Sequence, residues 1–254
     1  MTLLRDTRLI FGRYMRQLLR NRVAMVFGAL QPLLYLSLFG PLLTQMPGMS
    51  RLYGGTSVWQ GFVPGMLVML GLFGAAFSGF TIIGELRQGV VERMRVTPAS
   101  RLALLMGRVG SDIVKIEVQA VLLLLAAVGF GLRAPLAGVL IGLAVIALIA
   151  GSLASLSYAV GLLTKDESAF APLLNAVLLP LLLLSGILLP MSIAPRWLSA
   201  LAHASPFLYV VEGLRDAFAG QYATASLAVG LAVAVALTAV SLTVGALTFR
   251  RENA

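Results

Sequence analysis

Charged side chains concentrate in one polar segment, residues 85–101, which reads ELRQGVVERMRVTPASR and separates two long apolar stretches. The chain contains no cysteine, and His203 is its single histidine, so thiolate chemistry and histidine-pair metal sites are excluded. No Gly-Lys pair occurs, which excludes a phosphate-binding loop for ATP. We therefore expect no catalytic residue, no metal site and no cofactor bound by this chain. The chemistry of the polar segment is that of a charged docking surface.

A second charged group, Asp112, Lys115 and Glu117, precedes a long apolar run. Asp112 and Lys115 are three residues apart, so they face each other on a helix. One interpretation is an ion or proton site inside the membrane. The other places these residues in the first turns of a helix that begins in water near Ala103. We favour the second, because Arg108 lies among these charges and the uninterrupted apolar run begins only after Glu117.

The composition identifies the class of protein. The 254 residues are 59% hydrophobic and 11% charged, with a mean hydropathy of +0.95, whereas soluble domains carry about 25% charged residues. The sequence therefore predicts an all-α integral membrane protein. Six stretches reach the length of about 20 apolar residues that a span needs. They are roughly 23–44, 59–84, 106–131, 136–163, 169–190 and 223–249, within one transmembrane domain over 23–254.

The basic residues predict the orientation. With the N-terminus inside and six spans, the only Lys or Arg residues outside are Arg51, Arg133, Arg196 and Arg215, out of 19. Positive residues favour the cytoplasmic side, so we predict that both termini and the polar segment are cytoplasmic. The same bias explains the sequence pI of about 10.8 without nucleic-acid binding.

Residues 1–22 precede the first span and have two distinct faces. Leu4, Phe11, Met15 and Leu18 fall on one face of a helical wheel, and four arginines, Arg5, Arg13, Arg16 and Arg20, fall on the other. This pattern is typical of an amphipathic helix at a membrane surface. The alternative is a positive flank that only orients the first span.

The polar segment itself predicts a short helix. We expect Gly84 to end the second span and Glu85–Met94 to form an amphipathic helix with its charges exposed. Thr97-Pro98 would stop this helix, because proline disfavours the helical conformation of the residue before it. Ser100 would cap the next helix. Such a helix suits docking into a groove on a soluble partner, although a loop without a partner is the alternative.

Apolar residues of the first two spans suggest a path for substrate. Aromatic and methionine side chains give an adaptable surface for apolar molecules, and they occur as Tyr35, Phe39, Met66, Met69, Phe73, Phe77 and Phe80. Helix packing and lipid contact are the alternative for each of them. An ion-driven carrier usually needs a carboxylate near the middle of the membrane, and the centres of spans one, two, four and six hold none. The two halves of the sequence also show no repeat.

Two blocks of sequence resemble the permease subunits of ABC-2-type exporters, in the branch of daunorubicin-resistance and nodulation-factor exporters. In GELRQGVVERMRVTPASRLALLMGR the matching residues are Glu92, Arg93, Pro98, Ser100 and Arg101, while a threonine often found near Val90 is missing. In PLLLLSGILLPMSIAPRWLSALAHASPFLYVVEGLRDAF they are Pro180, Ser185, Gly186, Pro190, Pro195, Trp197, Leu198, Pro206, Tyr209, Glu212 and Arg215. The resemblance covers nearly the whole chain and is specific to the family, not to a substrate.

The resemblance implies an assembly and a set of sites. The permease would form a homodimer in the bacterial cytoplasmic membrane, with two copies of a separate ATP-binding subunit that carry ATP and Mg²⁺. Residues 1–22 would be a connecting helix, and contact with the ATPase would fall on a coupling helix and a second small loop: Glu85, Arg87, Gly89, Glu92, Arg93, Thr97, Pro98, Ser100, Arg101, Lys165, Asp166 and Glu167. Residues 191–222 would be short re-entrant helices. The outer gate would consist of Ser185, Gly186, Pro190, Trp197, Pro206, Glu212 and Arg215, with Glu212 and Arg215 forming a pair.

These expectations define a function. The chain would be the membrane subunit of an exporter that moves a hydrophobic drug, antibiotic or lipid-like molecule out of the cytoplasm. Three alternatives stay open: export of a glycolipid or polysaccharide by the same mechanism, an ion-coupled secondary carrier, and a membrane scaffold that transports nothing.

Overall fold

The computed structural model describes residues 3–20, 22–90 and 100–252, and within these ranges the chain is 83% helical and contains no β-strand. The side chains of residues 22–27, 101 and 250–252 lie outside this description. The predicted all-α class is confirmed for the described residues.

The helices follow the apolar stretches of the sequence closely. In chain order they are α1 (Leu3–Arg20), α2 (Arg22–Gln45), α3 (Met49–Leu52), α4 (Val58–Ala76), α5 (Gly79–Arg87), α6 (Arg101–Gly129), α7 (Leu136–Thr164), α8 (Glu167–Leu184), a 3₁₀ turn (Met191–Ile193), α9 (Arg196–Ala202), α10 (Pro206–Phe218) and α11 (Ala225–Glu252).

Four helical stretches in the described residues are long and apolar enough to cross a membrane: Val58–Arg87, Leu136–Thr164, Glu167–Leu184 and Ala225–Phe249. They correspond to the predicted second, fourth, fifth and sixth spans. Helices α2 and α6 occupy the predicted first and third spans but do not belong to these four. The number of these helices indicates a multi-pass membrane protein. The layout of six spans stays a prediction.

Helix α4 lies at the centre of the bundle. Every residue from Gly61 to Leu72 is buried, and α4 packs against α2, α6, α7 and α10. Its start is fixed by a capping box, in which the Gln60 amide donates to the Ser57 hydroxyl and the Gln60 side chain accepts from the Ser57 amide. A helix that is apolar on all sides is expected to be enclosed by others.

The second predicted span is not one helix that ends at Gly84. It is broken between Ala76 and Gly79, and α5 then continues through Gly84 to Arg87. The prediction of one helix over Glu85–Met94 is also wrong at its start, because Glu85 and Arg87 belong to α5. The stop comes at Gly89, whose φ of +67° lies in the left-handed region that a helix cannot use.

The fifth predicted span is too long at its end. Helix α8 ends at Leu184 rather than at residue 190, and Gly186 adopts a φ of +66° directly after it. The region 191–222 then holds the 3₁₀ turn, α9 and α10. Short helices were expected there, and whether they re-enter the membrane stays a prediction.

The predicted N-terminal helix is present as α1, and it packs along α6. Ile10 lies so close to Gly107 of α6 that a side chain at Gly107 would collide with it. Leu4, by contrast, is 82% exposed, so the packed face of α1 is centred on Ile10 and Phe11 and does not include Leu4.

Candidate functional site

The C-terminal end of α5 lies where α1, α6 and the turn between α7 and α8 meet. Glu85 contacts α1 and α6, and Arg87 contacts the α7–α8 turn. These contacts define two groups of residues. We call the first the polar cluster (Tyr14, Glu85, Arg108, Asp112, Lys115 and Tyr158) and the second the surface bridge (Arg87, Asp166 and Glu167).

Glu85 is the centre of the polar cluster. Its carboxylate oxygens accept hydrogen bonds from the Tyr14 hydroxyl at 2.9 and 3.0 Å, and the carboxylate forms an ion pair with the Arg108 guanidinium. The side chains of Arg108 and Glu85 are 3% and 15% exposed. Because an unpaired charge in such a place is costly, Glu85 and Arg108 hold α5 against α6.

Tyr14 connects α1 to this ion pair. The guanidinium carbon of Arg108 lies 5.2 Å from the centre of the Tyr14 ring, within the range of a cation–π interaction. Burial raises the pKa of the Tyr14 hydroxyl, and the positive charge of Arg108 opposes part of that rise. The phenol therefore keeps its proton at neutral pH and donates it to Glu85.

Asp112 extends the polar cluster to α7. It accepts a hydrogen bond from the hydroxyl of Tyr158, and Lys115 Nζ lies 2.8 Å from its other oxygen. The predicted pairing of Asp112 with Lys115 on one helix face is thus confirmed. All residues of the polar cluster except Arg108 line a cleft of about 470 Å³ between α1, α5, α6 and α7. Four helices are therefore joined through fixed charges and hydroxyls.

The surface bridge joins α5 to the turn that precedes α8. Arg87 Nη2 lies 3.0 Å from Asp166 Oδ1, and Arg87 Nη1 lies 3.5 Å from Glu167 Oε1. Hydrogen bonds from the Ser168 hydroxyl and amide, together with the Arg87 charge, hold the pKa of Asp166 below its usual value. All three charged side chains are about half exposed, so the bridge orients the turn but adds little stability.

The other residues of the predicted coupling set fall into two groups. Glu92, Arg93, Thr97 and Pro98 lie outside the described residues. Ser100 caps α6 as predicted, because its hydroxyl accepts a hydrogen bond from the Ala103 amide at 3.1 Å. Arg101 is the first residue of α6. Lys165 ends α7 with a φ of +54°.

The predicted substrate path divides between core and surface. Met66 and Met69 are buried within the bundle and present no surface in this conformation. Phe73, Phe77 and Phe80 stack successively, with ring centres 6.4 and 5.9 Å apart. A second aromatic pair, Tyr35 and Phe39, has ring centres 5.4 Å apart. A role in binding substrate stays a prediction for all of them.

The residues of the predicted outer gate lie around Arg215 of α10. Arg215 donates to the carbonyl oxygens of Gly61 and Gly186, at 2.9 and 2.7 Å, and its guanidinium lies 5.3 Å from the centre of the Tyr53 ring. Among the described residues, no ion pair joins Glu212 to Arg215 within 4.0 Å. The expected pair is therefore corrected: Glu212 is exposed, and Arg215 binds one backbone carbonyl of α4 and one just beyond the end of α8.

The rest of the predicted gate surrounds this arginine or points outward. The Ser185 hydroxyl donates to the Leu182 carbonyl at 2.8 Å, and Pro190 is buried before the 3₁₀ turn. Pro206 begins α10, and Trp197 is 66% exposed on α9. Burial raises the pKa of Tyr53, so this phenol remains neutral beside Arg215.

Sequence reasoning missed Tyr14, Tyr158 and the structural role of Arg108. A single arginine within LALLMGRVG was a usable signal, because a charge in an apolar stretch needs a partner. Tyr14 stood on the helical wheel beside the apolar face of α1. No sequence pattern identified Tyr158, because its hydroxyl reaches Asp112 only when α7 packs against α6. In the described residues, no three His, Cys, Asp or Glu side chains are grouped as a metal site would require.

Comparison with known proteins places these features in a family. The sequence profile of the ABC-2 type transporter matches residues 5–219. The chain is 28% identical over 202 residues to the protein named transport permease ycf38 of Cyanophora paradoxa, covering 78% of this chain and 69% of that protein. It is 23% identical over 233 residues to the daunorubicin resistance ABC transporter permease protein DrrB1 of Streptomyces coeruleorubidus, covering 89% and 79%. It is also 27% identical over 189 residues to the inner membrane transport permease YadH of Escherichia coli K12, covering 74% and 72%. The chain therefore belongs to the ABC-2 type transporter family of membrane permeases.

Proposed function

We propose that this chain is the membrane subunit of an exporter that is driven by ATP hydrolysis on a separate subunit. ABC-2 permeases work with an ATP-binding subunit and a lipid bilayer. The observation that supports the proposal is the meeting of α1, α5, α6 and the α7–α8 turn around Glu85 and Arg87. A movement that a partner imposes on the segment after α5 can pass through α5 to these helices.

The mechanism follows from these contacts of Glu85 and Arg87. The segment 85–101 docks into the ATP-binding subunit, with Glu92 and Arg93 as its central charges and Lys165–Glu167 as a second contact. Nucleotide binding on the partner displaces this segment. The ion pair between Glu85 and Arg108 transmits the displacement to α6, and the Tyr14 hydrogen bond transmits it to α1. Rigid connections of this kind move packed helices as units.

The assembly contains two copies of this chain and two ATP-binding subunits, with ATP and Mg²⁺ on those subunits alone. Both termini and the segment 85–101 face the cytoplasm of a bacterial cell, since the positive residues concentrate there. The outer region 185–218, including Arg215, closes the opposite side. Trp197 and Glu212 of this region are exposed, and they change position when the two copies rearrange.

The substrate is a hydrophobic or amphipathic molecule. The name of the DrrB1 relative refers to resistance against the drug daunorubicin, which supports a role in antibiotic or multidrug resistance. The stacked rings of Phe73, Phe77 and Phe80 give an apolar strip, and Phe77 is 41% exposed. Glycolipid or polysaccharide export by the same mechanism would need a polar path instead.

The ion-coupled carrier is the rival function. Such a carrier needs a carboxylate that exchanges its ion or proton during transport. Asp112 is held by Lys115 and Tyr158 in the described structure, which favours a structural role for this carboxylate. Transport by that mechanism would respond to a proton gradient and not to ATP.

The test is co-expression and co-purification with a candidate ATP-binding subunit from the same organism, followed by vanadate-sensitive ATPase measurements in proteoliposomes. Glu92→Ala and Arg93→Ala are expected to lower the stimulation of ATPase activity by the permease. Arg51→Ala is the matched control, because Arg51 is an exposed arginine of α3, on the predicted outer side.

The outcomes separate the hypotheses. If the permease neither binds the ATP-binding subunit nor changes its activity, the exporter proposal is wrong. If it binds but the Glu92 and Arg93 variants behave like the Arg51 variant, the coupling assignment of residues 85–101 is wrong while the transporter function stands.

A further inference from the structure

The helix break between α4 and α5 lies inside the most buried part of the molecule and changes the local hydrogen bonds. In a continuous helix, the Phe80 amide would donate to the Ala76 carbonyl and the Gly79 amide to the Ala75 carbonyl. Here the Phe80 amide donates to Phe77 at 3.2 Å, and the Ser78 amide donates to Ala75 at 3.1 Å. The Ala76 carbonyl and the Gly79 amide are thereby left without their helical partners.

Ser157 of α7 supplies both missing partners. Its hydroxyl donates to the Ala76 carbonyl, and its oxygen accepts from the Gly79 amide at 2.8 Å. A serine hydroxyl offers one donor and acceptor lone pairs, which is what these two groups need. Ser157 itself is 3% exposed. Since unsatisfied backbone groups are not tolerated within a membrane, the break depends on this one side chain.

Small residues allow the close approach that the contact requires. A Cβ added at Gly79 would collide with the Phe170 ring and with Ser157. A Cβ at Gly161, one turn after Ser157 on α7, would lie 2.8 Å from Ile82 Cγ2 and 2.9 Å from the Gly79 oxygen. The backbones of α5 and α7 therefore touch directly on both sides of the Ser157 hydrogen bonds.

The start of α5 also has an aromatic contact with α8. Phe170 of α8 is fully buried, and its ring meets the ring of Phe80 edge-on at 4.8 Å between centres. Helix α5 thus contacts both α7 and α8 immediately after the break. Nine residues carry it from Gly79 to Arg87, and it ends in the two residues that anchor the polar cluster and the surface bridge.

We propose that Ser157 is a positioning residue for coupling: it fixes the direction of α5 relative to α4 so that a movement of the segment after α5 reaches α7. This inference rests on the proposed exporter function. When the hydroxyl is present, α5 and α7 move together because the Ser157 side chain is hydrogen-bonded to the backbone on both sides of the break. When the hydroxyl is absent, the chain bends at the break between α4 and α5. A movement of the segment after α5 then changes the angle of the break and does not reach α7.

The experiment compares Ser157→Ala with Ser152→Ala in complex with the ATP-binding subunit. Ser152 is a matched control, because it is buried on the same helix and its hydroxyl donates at 3.0 Å to the Ile149 carbonyl of its own helix. The first measurement is hydrogen–deuterium exchange of residues 77–87 in lipid nanodiscs. We expect exchange of this stretch to be about tenfold faster or more in Ser157→Ala, because the Gly79 amide and the Ala76 carbonyl both lose their partner, and unchanged in Ser152→Ala. Ser157→Cys keeps a weak donor of similar size and is expected to lie between the two.

The second measurement is the amount of daunorubicin, used as an amphipathic test substrate, that is exported per ATP hydrolysed. We expect this ratio to fall in Ser157→Ala while binding of the ATP-binding subunit and its ATPase activity persist, a split that a general loss of stability would not produce. The proposal is overturned if Ser157→Ala matches Ser152→Ala in exchange of residues 77–87, or if the exchange rises but the export ratio does not change. Failure of the unmodified permease to bind the ATP-binding subunit would instead refute the proposed function, and the exchange measurement would still decide whether Ser157 positions α5.

Discussion

The guanidinium of Arg108 is almost completely enclosed, and Glu85 supplies its counter-charge. We predict that Glu85→Gln lowers the free energy of unfolding by on the order of 3 kcal/mol, because it leaves a buried positive charge without an opposite one. Thermal unfolding of the detergent-solubilised protein measures this loss. A second substitution, Arg108→Met, should recover part of it by removing the unpaired charge.

The control for this prediction lies two residues along the same helix. Arg87→Gln breaks an ion pair whose partners are about half exposed, so it should lower the free energy of unfolding far less than Glu85→Gln does. Equal losses in Glu85→Gln and Arg87→Gln would show that burial of the Glu85–Arg108 pair does not determine its contribution.

The hydroxyl of Tyr158 gives a smaller, separate prediction. Tyr158→Phe keeps the ring but removes the hydrogen bond to Asp112, so we expect the free energy of unfolding to fall by about 1.5–3 kcal/mol, the range for a hydrogen bond to a charged group. The comparison is Tyr209→Phe, whose hydroxyl donates to the exposed carbonyl of His203 at 3.0 Å. A loss of stability in Tyr209→Phe as large as that in Tyr158→Phe would contradict the structural role of Asp112.

At the scale of elements, the docking of α1 on α6 depends on the absence of a side chain at Gly107. A Cβ there would lie 2.6 Å from Ile10 Cγ2, which is too close for any ordinary contact. We predict that Gly107→Ala displaces α1 and exposes it to protease. Limited trypsin digestion reports this, because Arg13, Arg16 and Arg20 lie along α1.

The same helix offers the matched variant. Gly129 ends α6 with nothing within 4 Å of its added Cβ, so Gly129→Ala should leave the cleavage rate of α1 unchanged. Equal cleavage of α1 in the two variants would mean that the contact with Gly107 does not hold it.

At the scale of the whole molecule, charge distribution predicts which side of the membrane each end of the bundle faces. The chain has no cysteine, so single cysteines at Arg51 and at Gln88 can be labelled with a membrane-impermeant thiol reagent. Both positions are exposed. We expect Arg51→Cys to react in intact cells and Gln88→Cys to react only after the membrane is opened, because basic residues accumulate at the end that contains Gln88. The reverse pattern would invert the topology and remove the coupling proposal.

Helix positions were predictable because long apolar runs must form helices in lipid, where every backbone group needs a partner. The first span and α2 agree within one residue at each end, and the cap at Ser100 was read directly from the sequence. The end of α8 at Leu184 and the break at Ala76–Gly79 were not predictable. Both interrupt apolar stretches and are stabilised by residues distant in sequence, Arg215 and Ser157.

The sequence by itself determined the membrane class, the family and the presence of a charged segment at 85–101, because composition and ordered motifs do not depend on packing. The distribution of arginines in the sequence also predicts the orientation of the chain in the membrane. The tertiary structure alone decided that Glu85 pairs with Arg108 and Tyr14, that Arg87 meets Asp166, and that Ser157 completes the break before α5. These contacts join residues 23 to 79 positions apart. They form only once the helices have packed, because packing brings distant residues together and leaves buried polar groups to find partners within the protein.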